Sequence, residues 1–201
     1  MWELFGRLLN RFIPATATVA AAPSRNAHTG DFWNSTTGPA LAQGDFLRDC
    51  LVPFFGSDVR PGGQPEAEVV VCQANLIVVT QSCDLENKKA QFFALCPIYT
   101  LDEFAKINSK FGNKHERDEV RKGRHEGLHM LASPINPANN LEALIVDFRQ
   151  IYSLPFGTLT NHAASQGDRW RLQSPFLEHF SQAFARFFMR VGLPSSIPPF
   201  K

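Results

Sequence analysis

A chain of 201 residues with 20 basic and 19 acidic side chains has a net charge of +1, which excludes a global pull toward nucleic acid or anionic lipid. Hydrophobic residues at 44% and charged residues at 19% exclude a disordered chain and fit one globular domain. No run approaches the ~18 consecutive apolar residues of a spanning helix.

At the amino terminus Trp2, Phe5, Leu8, Leu9 and Phe12 fall on one helical face. Residues 1–13 are expected to form a short amphipathic helix that docks on its own domain, a partner or a membrane surface. Pro14, Thr16 and Thr18 interrupt the apolar region, which argues against a secretory signal. Residues 14–38, rich in Ala, Thr, Ser and Asn, read as a flexible linker, and 39–201 as a single globular domain.

Within the domain, Leu41–Leu47 reads as a turn at Gly44-Asp45 that feeds a strand. Residues 56–66 hold three glycines and two prolines and form a loop. The β-branched runs Glu68–Cys72 and Leu76–Thr80 predict a hairpin around Gln73–Asn75. The second run ends abruptly in Gln81, Ser82, Cys83 and Asp84, so four polar or reactive side chains sit where a buried strand should surface. Asn87–Lys89 reads as a turn and Gln91–Ile98 as a further strand.

Thr100 and Glu103 have capping-box spacing, and Phe104, Ile107 and Phe111 continue an apolar stripe, predicting a helix that stops at Gly112-Asn113. Lys114–His125 is almost entirely charged and reads as an extension of a solvated helix. Leu128–Leu131 predicts a short strand, Leu144–Tyr152 a longer one, and Pro155-Phe-Gly157 a turn. Ser174-Pro175 opens a final helix whose Phe176, Phe180, Phe184, Phe187 and Phe188 recur at helical spacing, with Gly192 as its stop. The expected class is α+β: a small β-rich, partly open SH3-like barrel or bent antiparallel sheet, with peripheral helices and a C-terminal Phe-rich helix.

Gly44-Asp45-Phe46 followed by the run Leu76–Thr80 resembles the opening of MazF/PemK-type SH3-like barrels over about residues 41–85. The arginine-proline pair that precedes that strand in those ribonuclease toxins has no counterpart here, since Arg60-Pro61 lies too far upstream. Over most of the domain the chain is similar to a group of bacterial proteins with a Gly-Asp start, a strand ending in Gln-Ser-Cys-Asp-Leu, and a Ser-Pro helix closing in Arg-Val-Gly-Leu-Pro. Here these are Gly44-Asp45, Gln81–Leu85, Ser174-Pro175 and Arg190–Pro194. That resemblance implies a shared fold and brings no activity with it.

Three chemistries compete. Cys83 has the makings of a nucleophile, with His129 or His125 as base and Asp84 as orienter, because a nearby imidazole stabilises a thiolate. His129 is the better partner, standing in the apolar run Leu128–Leu131. The competing reading makes Cys83 a packed residue and Asp84 a turn cap. A metal site built from Cys83, Asp84, His125 and His129 is disfavoured, since on a strand the two histidines stand ~13 Å apart.

Third, Lys110, Lys114, Arg117, Arg121, Lys122 and Arg124 form a basic cluster of the kind phosphate backbones select. Its interleaved Glu116, Asp118 and Glu119 also fit a plain solvated helix face. Gly62-Gly63 lacks the lysine of a phosphate loop. Cys50, Cys72, Cys83 and Cys96 form no C-x-x-C pair, which favours free thiols in a reducing cytoplasm and implies no cofactor. The expectation is an accessory or binding module for nucleic acid or a protein partner. The alternative is a cysteine-dependent enzyme, a hydrolase or nuclease-like toxin, using Cys83, Asp84 and His129.

Overall fold

The structure is a computed structural model, and it describes residues 32–55, 69–87 and 91–189. The amphipathic segment 1–13, the glycine-rich loop and the Gly192 stop lie outside these residues.

Eight strands form one antiparallel sheet: β1 (Trp33–Thr36), β2 (Asp45–Phe55), β3 (Val69–Val78), β4 (Phe92–Thr100), β5 (Leu128–Leu131), β6 (Leu144–Asp147), β7 (Tyr152–Pro155) and β8 (Arg169–Leu172). The order is β1-β8-β2-β3-β4-β6-β5, and β7 also pairs with β4. Five helices flank it: α1 (Ser82–Glu86), α2 (Leu101–Ile107), α3 (Lys114–Arg121), α4 (Phe156–Gln166) and α5 (Phe176–Phe188). The architecture is α+β with an open, unclosed sheet. Its two ends meet where the Trp33 indole Nε1 donates to the Ala132 carbonyl at 2.8 Å and Trp33 and Leu131 share one core.

Both faces of the central strands are buried, which is why their sequences read as unbroken apolar runs. Phe46, Ile77 and Cys96 point into one core that α5 closes with Phe180, Phe184 and Phe187. Leu47, Leu76, Val78 and Leu95 point the other way and are covered by Leu159 and Ala163 of α4. Leu101, Phe104, Phe111 and Val120 of the α2–α3 region pack on Leu128 and Ile145 as a third core. The capping box at Thr100 forms as predicted, with Thr100 Oγ1 accepting from the Glu103 amide and the Glu103 carboxylate accepting from the Thr100 amide.

Three expectations are corrected. The hairpin around Gln73–Asn75 does not exist: these residues run straight through β3, because β2 pairs with its whole length. A bulge between Leu47 and Cys50 takes up the irregularity, with Asp49 at φ 53° and its amide donating to Asn75 Oδ1 at 3.1 Å. The long strand Leu144–Tyr152 is two strands, β6 and β7, both on β4. The break is made by Asp147, whose carboxylate accepts from the Arg149 backbone amide at 3.0 Å and from its guanidinium at 2.7 Å. Pro155-Phe-Gly157 is not a turn but the start of α4, with Pro155 as N-cap. Two strands fall in stretches given no element: β1 inside the segment read as linker, and β8.

β8 is held by a buried charged cluster. Asp45 has no exposed surface, and its carboxylate accepts from Arg169 Nε at 3.0 Å, from Arg171 Nη2 at 2.8 Å and from the Ala42 amide at 3.1 Å. The Arg169 guanidinium also donates to the Gly38 carbonyl at 2.6 Å and to the Ala40 carbonyl. Hydrogen bonding to Asp45 holds the Arg171 pKa above its ordinary value. Gly44, at φ 82°, brings this turn against α5: a Cβ there would lie 2.9 Å from both Leu172 and Leu177 side-chain atoms.

Candidate functional site

The charged run after Gly112 folds as an independent helix rather than as an extension of α2. A 3₁₀ turn, Ser109–Gly112, separates the two, and Asn113 caps α3 by accepting from the His115 amide at 2.9 Å. Val120 is the buried anchor of α3, so its charged side chains point outward or along the groove beside it.

That groove has a volume of about 440 Å³. α3 contributes Lys114, Arg117, Asp118 and Arg121 to its lining; Leu101, Met130, Asn140 and Leu141 come from α2, β5 and the second 3₁₀ turn. Arg117 is fixed in place, its Nε donating to the Phe111 carbonyl at 2.6 Å. Arg121 donates to Asp118 at 3.2 Å, and that hydrogen bond, with the charges of Arg121, Lys122 and Lys114, holds the Asp118 carboxyl below its usual range.

The predicted basic residues therefore divide. Lys122 and Arg124 both pair with Glu119, at 3.6 and 3.3 Å, and do not line the groove. Lys114 and Arg117 do line it, and neither has a carboxylate within 4 Å among the described residues. Lys114 and Arg117 thus bring unneutralised positive charge to the concavity, while Lys110, outside its lining, also has no carboxylate within 4 Å among the described residues.

No family model, curated protein or solved structure matches the chain. The residues have to carry the functional reading by themselves.

At the end of β3, the Gln81–Leu85 segment turns into α1 instead of extending the strand. Ser82 is committed to the Gly-Asp turn: its Oγ accepts from the Gln43 amide at 3.1 Å, while Gln43 Nε2 donates to the Val79 carbonyl at 3.0 Å. The Gly44-Asp45 turn and the Gln81–Leu85 segment are thus neighbours in space. Cys83 is exposed, and its thiol lies 3.7 Å from Gln81 Oε1 and 3.9 Å from Asp84 Oδ1. Burial pushes the thiols of Cys50 and Cys96 up to about 12.

His129 is elsewhere. Its ring stacks on Phe148 at 6.0 Å and touches Phe180 at 5.9 Å, on the α5 side of the sheet. Burial, helped by the charge of His179, lowers its pKa to about 4, so it is a neutral packing group at neutral pH. No hydrogen bond or ring contact joins Cys83 to His129 among the described residues. His125 stands against Phe111 at 5.4 Å, with its Nδ1 3.2 Å from the Glu126 carbonyl. Among the described residues the hydrogen-bond partners of the Cys83 thiol are thus an amide oxygen and a carboxylate oxygen. Sequence reasoning found the cations of the groove but not Met130, Asn140 or Leu141, which approach α3 only through the fold and carry no local signature.

Proposed function

We propose that this protein is a nucleic-acid-binding module whose contact surface is the α3 groove. The observation that carries the reading is the convergence of Lys114, Arg117 and Arg121 on one concavity, two of them without a carboxylate partner. Phosphate oxygens are the complementary ligand, and a preorganised guanidinium such as that of Arg117 is suited to hold one in bidentate fashion. The near-zero global charge makes the affinity local and modest rather than diffuse. We read the bent sheet beneath as an SH3-like platform, supported by the Trp33–Ala132 tie between its ends. Free Cys50, Cys72, Cys83 and Cys96 support a reducing, cytoplasmic setting.

The test is fluorescence anisotropy with labelled oligonucleotides across a salt series. Binding should weaken linearly in log affinity against log salt, and the double variant Lys114→Gln/Arg117→Gln should reduce that slope by roughly 2 while leaving the fold intact. Failure of the unaltered protein to bind any oligonucleotide at ~50 mM salt ends this reading.

A further inference from the structure

We infer that the groove takes a single-stranded, unstacked segment of nucleic acid rather than a duplex. The inference rests on the nucleic-acid reading above and specifies its substrate class. Three observations carry it.

The first is where the unpaired charge lies. Lys122 and Arg124, outside the groove, are both engaged by Glu119, whereas Lys114 and Arg117 inside it have no carboxylate partner. A duplex presents its phosphates along the convex outer edges of grooves, with the bases stacked inside, a shape that does not enter a concavity of about 440 Å³. A surface of that kind spans the groove without entering it, and so reaches Lys110 and the paired Lys122 and Arg124 but not the floor between Lys114 and Arg117. A single strand can thread its backbone into the concavity, where the cations are.

The second is the rest of the lining. Leu101, Met130 and Leu141 make the groove amphipathic, and Leu141 stands 66% exposed. Phosphates alone would leave that apolar surface in water. An unstacked nucleotide carries both an anion and a flat, weakly hydrated base, so it satisfies the two parts of the lining together.

The third is Asn140. Its side chain lines the groove and makes no hydrogen bond among the described residues, although the neighbouring Asn139 is fully occupied by Glu142 and the Leu141 amide. A free carboxamide beside an apolar surface is the group that reads a base edge, because it offers a donor and an acceptor in one plane. The groove therefore holds phosphate through Lys114 and Arg117, covers a base with Leu141 and Met130, and presents Asn140 to its edge.

The deciding experiment compares one sequence as a single strand and as its matched duplex, by anisotropy at a fixed low salt concentration. The single strand should bind at least about tenfold tighter. Leu141→Ser, at an exposed position that the fold does not need, should weaken single-strand binding roughly fivefold without altering the salt slope. Asn140→Ala should narrow the differences in affinity among homopolymeric strands. Equal or tighter duplex binding overturns the inference and leaves the nucleic-acid reading standing. Single-strand binding indifferent to Leu141→Ser also overturns it. Absence of binding to either form removes both.

Discussion

Charge is used in opposite ways at Asp45 and along α3. Around Asp45 the carboxylate and the Arg169 guanidinium are taken out of water while Arg171 stays partly exposed, and the three are joined to one another and to the carbonyls of Gly38 and Ala40. The cluster fixes the turn before β2 onto β8. Along α3 the ion pairs are solvent-exposed, each worth ~0–1 kcal/mol, and they neutralise some cations while leaving others beside a groove. Fully satisfied buried charge builds the fold, and partly satisfied surface charge is where recognition becomes possible.

The largest effect expected from breaking this contrast lies at Asp45. Asp45→Asn leaves the buried Arg169 guanidinium uncompensated and should cost about 3–5 kcal/mol in urea denaturation, while oligonucleotide affinity per folded molecule stays constant. Comparable destabilisation by a neutral substitution on α3 would erase the distinction.

An intermediate effect concerns His129, a half-buried titratable group beside Phe148 and Phe180. Its pKa is about 4 in the folded protein against ~6.5 unfolded, so the unfolded state binds more protons between these values. Stability should therefore be intact above pH ~6.5 and fall as pH drops toward 4, by about 2 kcal/mol from pH 7 to pH 5. Denaturation curves of His129→Leu at the two pH values should lack this component. A slope identical to that of the unaltered protein would mean the imidazole is solvated.

The smallest effect is expected at Glu119. Glu119→Gln releases Lys122 and Arg124, and should shift stability by less than ~1 kcal/mol while strengthening oligonucleotide binding about twofold. Unchanged binding would confine the contact to the groove lining itself.

Local chemistry made some elements legible. The Thr100–Glu103 capping box, the strand Leu128–Leu131 and the phenylalanine stripe of α5 each carry their signal within a few residues. β1 and β8 do not. Trp33–Thr36 buries one residue strongly, and Arg169–Leu172 places an arginine at a core position that only Asp45, 124 residues away in sequence, makes tenable. α4 was hidden because only Leu159 and Ala163 of its residues are buried, too few to draw a helical stripe. The split of β6 from β7 depends on Asp147 holding Arg149, which reads from the sequence as two charges within one continuous strand. At the candidate sites, the basic cluster was visible as composition, but which cations remain unpaired is a property of rotamers and of the groove. Pairing Cys83 with His129 leaned on an unusual histidine, and the structure accounts for that histidine by stacking on Phe148.

The hydrogen bond from Trp33 to Ala132 makes a seam rather than a weld. A continuous ladder would open only with global unfolding, whereas a join made by one indole can breathe on its own. An opening there would lift the Trp33 ring from beside Phe46 and admit water to the α5 core, so Trp33 fluorescence would report it.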